Sequence, residues 1–310
     1  MKKRVIPHTK HAGIALLSTL ALVVGAFGGS TLLITLNDAS FIALSNKAQQ
    51  SAAALFPLPA NISGDALTAR AAVVYDPSDG RVLYAKNEHA ALPLASITKL
   101  MTAEVVLTAL NPDTIVRISK SALAPEGDSG FKLGDLVSLS DLISIGLIAS
   151  SNDAMQAAAE SLGTNYLTRM NEVSRNLGLE STTFVNPTGL DEADGSAGAV
   201  GSAYDVARIA ALFYKQYPKD FLQTQEGSTT IVVSGRTIVG KSTSATLHSL
   251  PGLIGAKTGY TVLAGGNVVA VFDIEIGHPL VVVVLGSTKE GRFDDIKTLI
   301  QALRAKNNTN

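Results

Sequence analysis

The sequence predicts a mixed α/β fold of the α+β type, an antiparallel sheet built from both chain ends and flanked by helices, with a helical subdomain beside it. Three observations carry that reading. A hairpin pattern opens the globular part. β-Branched runs bounded by glycine close it. The stretch of roughly 138–216 between them has helical periodicity. With 310 residues the chain has ample length for a core in one or two domains.

The N-terminus comes first. Lys2, Lys3, Arg4 and Lys10 precede an uncharged apolar run over residues 13–36. At 24 residues the run exceeds both a signal h-region and the ~20 residues that a spanning helix needs. Residues 1–36 are therefore expected to be a membrane anchor or a signal segment, with cleavage near Ala52-Ala53-Ala54 as the alternative. The basic flank places the rest of the chain outside. Residues 37–66, rich in Ala, Ser and Asn and holding Pro57 and Pro59, read as a linker.

The globular part is expected over 67–305, with 306–310 as a tail. Residues 71–75 and 81–85, joined by Asp76-Pro77-Ser78-Asp79-Gly80, read as a β-hairpin. A buried helix follows, opening near Ser96 and ending before Pro112. Helices are expected at 139–149, 153–162, 166–177 and 204–214. Strands are expected at 229–233, 254–258, 267–276 and 280–285, and a final helix at 293–305.

The helix near Ser96 opens with Ser96-Ile97-Thr98-Lys99. This spacing brings a hydroxyl and an amine onto one helical face. Serine needs a base to become a nucleophile, and a lysine held that close can be one. The spacing alone is weak, because Ser129-Gly130-Phe131-Lys132 also fits it. That second copy lies among Gly127, Gly130 and Gly134 and reads as turn. Two further motifs follow in order. Ser150-Ser151-Asn152 lies between two helical runs, and Lys257-Thr258-Gly259 ends a strand. Ser-x-x-Lys, a Ser/Asn motif and Lys-Thr-Gly together are the known signature of penicillin-binding proteins and class A β-lactamases.

Longer segments narrow the match: Pro93 through Ala103, Ser150 through Ala154, Phe184-Val185-Asn186-Pro187-Thr188-Gly189-Leu190, Lys257 through Thr261 with Ala264-Gly265, and Gly286 through Asp295. Over roughly residues 67–303 the chain resembles the low-molecular-mass penicillin-binding D-alanyl-D-alanine carboxypeptidases, serine peptidase family S11. The resemblance implies a β-lactamase/transpeptidase-like fold. It implies Ser96 as acylated nucleophile, Lys99 as its base, Ser150 as proton relay and Asn152 as ligand of the substrate amide. It also implies Lys257, Thr258 and Gly259 against the substrate carboxylate, and the N–H groups of Ser96 and Tyr260 as oxyanion hole. The partners it implies are a peptidoglycan stem peptide ending in D-Ala-D-Ala, and β-lactams as covalent inhibitors. No cofactor is implied.

Three departures stand out. Ser151 replaces the family's glycine, and its backbone alone is expected to matter. Ser242 through Leu247 replaces an asparagine-rich stretch. Many members carry a C-terminal β-domain with an amphipathic anchor, a role expected here of the N-terminal segment.

Other classes fit less well. A class A β-lactamase needs a Glu-x-x-Leu-Asn element, and no glutamate between 152 and 257 has that context. A D-Ala-D-Ala endopeptidase would use the same chemistry on cross-links. A catalytically inactive wall-binding protein has no evident need of Ser96, Lys99, Asn152 and Lys257 together. The chain has no cysteine, which excludes thiol catalysis and cysteine-ligated zinc. His89, His248 and His278 are scattered and read as surface residues without metal spacing. Asp294-Asp295 reads as an acidic first helical turn. The net charge of −1 and the absence of a basic stripe argue against nucleic-acid binding.

Overall fold

The computed structural model describes residues 20–23, 33–36 and 66–307. The chain forms two units, Met1–Leu55 and Phe56–Asn310. In the first, β1 (Leu20–Val23) pairs antiparallel with β2 (Leu33–Leu36). Both strands fall inside the apolar run expected to be a spanning helix. Val23, Ile34 and Thr35 favour extended backbone, and the glycines at 25, 28 and 29 disfavour one continuous helix. The rest of that run, and the linker up to residue 65, lie outside the described residues. Among the described residues no helix is long and apolar enough to cross a membrane.

The second unit is organised by a five-stranded antiparallel sheet. Its members are β3 (Ala71–Asp76), β4 (Arg81–Lys86), β12 (Leu253–Thr261), β13 (Gly265–Glu275) and β14 (His278–Ser287). Their order is β12-β13-β14-β3-β4, so the opening hairpin pairs with the last strand, as the sequence predicts. Residues alternate between faces along each strand. Val73, Val269, Val271, Val281 and Val283 pack into the larger core with the helices. Val74, Val268, Ala270, Phe272, Val282 and Val284 face the closing helix α7 (Gly291–Asn307), through Phe293, Ile296, Leu299 and Ile300. With both faces covered, 281–285 reads as an unbroken apolar run rather than an alternating one.

Asp295 does more than suit a helix N-terminus. It is buried and accepts hydrogen bonds from Thr68 N, Thr68 Oγ1, Ala69 N and Ser287 Oγ at 2.7–2.9 Å, tying the start of the unit to its end. His278 is half-exposed, and its Nε2 lies 2.9 Å from the buried Asp76 carboxylate.

The helical subdomain holds α1 (Lys99–Ala109), α2 (Leu139–Ile148), α3 (Asn152–Glu160), α4 (Tyr166–Asn176), α5 (Ala203–Gln216) and α6 (Pro218–Leu222). Serines cap three of them. Ser138, Ser151 and Ser202 accept from the backbone N–H groups of Asp141, Ala154 and Asp205, each at 3.1 Å. Every residue of α1 from Lys99 to Leu107 is buried, so this helix runs through the core. A second hairpin, β10 (Ser228–Val233) and β11 (Arg236–Lys241), turns at Ser234 and Gly235, both with positive φ. Only its first strand was expected, although Ser-Gly between two extended runs is a hairpin signal.

Candidate active site

The first half of the site is built where a 3-10 turn, Ala95–Thr98, runs into α1. In 3-10 geometry residues three apart eclipse one another. Ser96 and Lys99 therefore stack, with Nζ 2.6 Å from Oγ. Ala95, just before the serine, has φ +48°, in the left-handed region that non-glycine residues rarely adopt. Such a conformation costs about 1–3 kcal/mol and persists only where its surroundings enforce it. Ala95 is buried, and Gly189 lies so close that a Cβ there would meet the Ala95 carbonyl oxygen at 1.9 Å. Gly189 ends the turn Asn186-Pro187-Thr188-Gly189, folded around the Asn186 Oδ1, which accepts from Thr188 N, Thr188 Oγ1 and Gly189 N.

Lys99 is 0% exposed. Its Nζ also lies 2.7 Å from Asn152 Oδ1 and 3.0 Å from the Thr188 carbonyl oxygen. Asn152 Nδ2 donates to the Glu126 carbonyl at 2.6 Å, which orients the amide with Oδ1 toward the lysine. Burial, and the nearby Lys257 charge, hold the Lys99 ammonium well below the ordinary lysine range. A neutral amine has two N–H donors and one lone pair. Asn152 Oδ1 and Thr188 O can only accept. In the neutral form the two donors can go to them, which leaves the lone pair for the Ser96 hydroxyl; in the ammonium form Nζ donates to Ser96 Oγ as well.

The second half centres on Lys257, also 0% exposed. Its Nζ donates to the Thr258 carbonyl and meets Ser150 Oγ, each at 2.8 Å. Burial, with the Arg292 charge nearby, lowers its pKa to about 7. Ser150 has φ +62°, a second strained residue, at the junction between α2 and α3. Strand β12 extends past the expected end at Thr258 to Thr261, because Gly259 and Tyr260 continue the ladder opposite Asn267 and Gly266. It is an edge strand with only β13 beside it, so its other rim faces the Ser96 turn. A Cβ at Gly259 would stand 2.9 Å from the Leu94 carbonyl oxygen and 3.0 Å from Ser96 N, so glycine permits this approach. Tyr260 is half-exposed and lines a cleft of about 780 Å³ with Asn152, Thr188, Glu126 and Asp191.

The structure thus gathers all the expected residues around two buried lysines: Ser96, Lys99 and Asn152 about one, Ser150, Lys257, Thr258, Gly259 and Tyr260 about the other. It also assigns work to residues that sequence reasoning passed over. Thr188 supplies a carbonyl to Lys99. Arg292 Nη1 donates to the Gly259 carbonyl at 2.7 Å. Thr258 Oγ1 donates to Thr243 Oγ1 at 2.7 Å, so the departure at Ser242–Leu247 brings a hydroxyl to the strand. Ser151 contributes more than backbone: its hydroxyl caps α3 and lies 2.6 Å from Ser129 Oγ. Thr188 and Arg292 stood inside the segments carrying the family resemblance, which was the available signal.

Comparison with known proteins identifies the family. The family model for D-alanyl-D-alanine carboxypeptidases, peptidase family S11, matches residues 59–289. The chain belongs to family S11. Among S11 relatives it is 33% identical over 210 residues to a D-alanyl-D-alanine carboxypeptidase of Bacillus subtilis, covering 62% of this chain and 51% of that protein. It is 33% identical over 255 residues to one of Salmonella typhimurium, covering 76% and 63%. A D-alanyl-D-alanine endopeptidase of Pseudomonas aeruginosa is 35% identical over 158 residues, covering 49% of each chain. The match thus spans about half to just under two thirds of these relatives' length. Among solved structures, the ampicillin-bound penicillin-binding protein D2 of Listeria monocytogenes matches with TM-score 0.66 and 30% identity, over 76% of this chain and 97% of that one. A D-alanyl-D-alanine carboxypeptidase of Mycobacterium tuberculosis matches with TM-score 0.71 and 28% identity, over 80% and 93%. The β-lactamase/transpeptidase-like fold is therefore that of this S11 family member.

Proposed function

We propose that the chain is a serine-type D-Ala-D-Ala carboxypeptidase that trims peptidoglycan stem peptides through an acyl-enzyme on Ser96. The observation that carries this reading is the hydrogen-bonding of Lys99, whose two fixed acceptors leave its lone pair for the serine. Ser96 Oγ attacks the carbonyl carbon of the penultimate D-Ala while its proton passes to Lys99 Nζ. The oxyanion is held by the N–H groups of Ser96 and Tyr260, where a single donor is worth about 2.7–4 kcal/mol. Lys257 and Thr258 hold the terminal carboxylate, and Asn152 Nδ2, turning from the Glu126 carbonyl, meets the substrate amide. The C–N bond breaks as Ser150, fed by Lys257, returns a proton to the leaving amine. Water then attacks the ester, passing a proton through Ser150 back to Lys257, while Lys99 returns its proton to Ser96 Oγ as the C–O bond breaks and the shortened stem leaves. β-Lactams acylate the same oxygen, because their strained amide offers the same carbonyl beside a carboxylate.

The catalytic unit acts outside the cytoplasmic membrane, where its substrate lies, and the basic-then-apolar segment of residues 1–36 tethers it or serves as its export signal. The test is product analysis with purified protein. Pentapeptide stems should lose one D-Ala, and Ser96→Ala should abolish the release. Cleavage confined to cross-linked dimers would assign the endopeptidase reaction instead. Deleting residues 1–36 should release the protein from membranes; a deletion variant that still pellets with them would contradict the tether.

A further inference from the structure

The proposed oxyanion hole lies between two walls, the turn that carries Ser96 and the edge strand β12 that carries Tyr260. Its two N–H groups belong to different segments, so the gap between the walls decides whether both reach one oxygen. Close packing at Gly259, where a Cβ would stand 3.0 Å from Ser96 N, sets how near the walls can come. It does not hold them together.

Asn267 supplies a hold. It lies on β13 opposite Gly259. Paired residues in a sheet share a face, so its side chain points to the face on which the Ser96 turn packs, and the glycine beside it leaves it room. Asn267 is 0% exposed, and its Nδ2 donates to the Pro93 carbonyl at 2.9 Å. Its Oδ1 accepts from the Gly286 N–H at 2.8 Å. That N–H belongs to a bulge: between the pairs Gly266–Ser287 and Val268–Val284, β14 has Leu285 and Gly286 against Asn267 alone. Reversing the amide would set oxygen against oxygen and N–H against N–H, so the network fixes its orientation. From the other side Pro93 pairs with Val200, and the Leu94 N–H reaches the Ala199 carbonyl at 3.0 Å. A buried amide thus ties the segment leading into Ser96 to the sheet that carries Tyr260.

We propose that Asn267 is a positioning residue for the acyl transfer: by holding Pro93 against the sheet, it sets the distance between the Ser96 and Tyr260 N–H groups. The inference rests on the reading of Ser96 as nucleophile. A correctly spaced hole serves both tetrahedral intermediates, the one that forms the acyl-enzyme and the one that hydrolyses it. It matters little to the first encounter with the ligand.

Stopped-flow kinetics with benzylpenicillin separate the dissociation constant of the first complex from the rate constants for acylation and for hydrolysis of the penicilloyl-enzyme. The labelled fraction after long incubation counts folded sites. Asn267→Ser withdraws the reach to Pro93, and Asn267→Asp keeps the shape but sets a carboxylate oxygen against the Pro93 carbonyl. In each, acylation and hydrolysis should slow together by about 10²-fold, with the dissociation constant within about threefold of wild type. A purely structural loss lowers the labelled fraction or the melting temperature and leaves the rate constants of the labelled molecules alone. Unchanged rate constants would therefore overturn the proposal, as would a loss confined to the dissociation constant or to one of the two steps. If neither variant labels at all, Asn267 serves folding only, and the proposal falls too. Wild-type protein that benzylpenicillin does not acylate at Ser96 would overturn the Ser96 reading itself, and this inference with it.

Discussion

The chain carries the spacing Ser-x-x-Lys twice, and the two copies have opposite fates. At Ser96 and Lys99 a 3-10 turn stacks the two side chains, burial removes water, and Lys257 discourages the ammonium. At Ser129 and Lys132 the backbone is irregular and the lysine side chain is exposed. Ser129 turns instead to the Ser151 hydroxyl, and its N–H goes to Asp153 at 3.0 Å. The same two residue types at the same distance in sequence thus give a buried, stacked hydroxyl–amine pair, the proposed nucleophile and base, in one place and a loop fastening in the other. Spacing alone does not bring the two side chains together; helix phase and burial do.

The comparison can be broken from either side. Lys99→Arg should have the largest effect. Arginine stays protonated at any working pH, so it has no lone pair for Ser96. Acylation by a fluorescent penicillin should slow by about 10³-fold or more in stopped-flow measurements. A rate near wild type would show that Lys99 is not the base.

Lys257→Gln should come next, slowing acylation by about 10²-fold through loss of the carboxylate contact. It also sharpens the electrostatic side of the comparison. The Lys257 charge disfavours protonated Lys99, so removing it raises the Lys99 pKa. The acid limb of the acylation–pH profile should then move to higher pH. A limb that stays in place would mean that burial alone sets the Lys99 amine.

Ser129→Ala should be mild. It removes one hydroxyl pair, worth about 1 kcal/mol, and loosens the loop whose Glu126 carbonyl holds Asn152. A slightly lower melting temperature and a few-fold slower acylation are expected. Lys132→Ala should change neither, and loss of labelling there would make the second copy the functional one.

Much of this was legible in the sequence. The sheet drawn from both chain ends follows from β-branched runs at either end of the unit, and the pairing of β14 with β3 realises it. Ser96, Lys99, Asn152 and Lys257 were legible because their motifs are contiguous and ordered. What escaped depends on contacts between distant segments. Thr188 acts through its carbonyl, which every residue carries, so its side chain gives no signal. The two-residue strands β5 (Leu92–Pro93) and β8 (Thr183–Phe184) are too short for any period; they flank β9 (Ala199–Gly201), and the Leu94 N–H continues that link to the Ala199 carbonyl at 3.0 Å. Ser151 was read as backbone because the resemblance has glycine there, and a hydroxyl's partner 22 residues away is invisible to local pattern.

The most direct test locates the acyl group. Purified protein treated with benzylpenicillin and digested should give, by tandem mass spectrometry, one penicilloyl adduct on Ser96, absent from Ser96→Ala and present in Ser129→Ala. An adduct on Ser129, or equal adduct formation by Ser96→Ala, would contradict the assignment of the nucleophile.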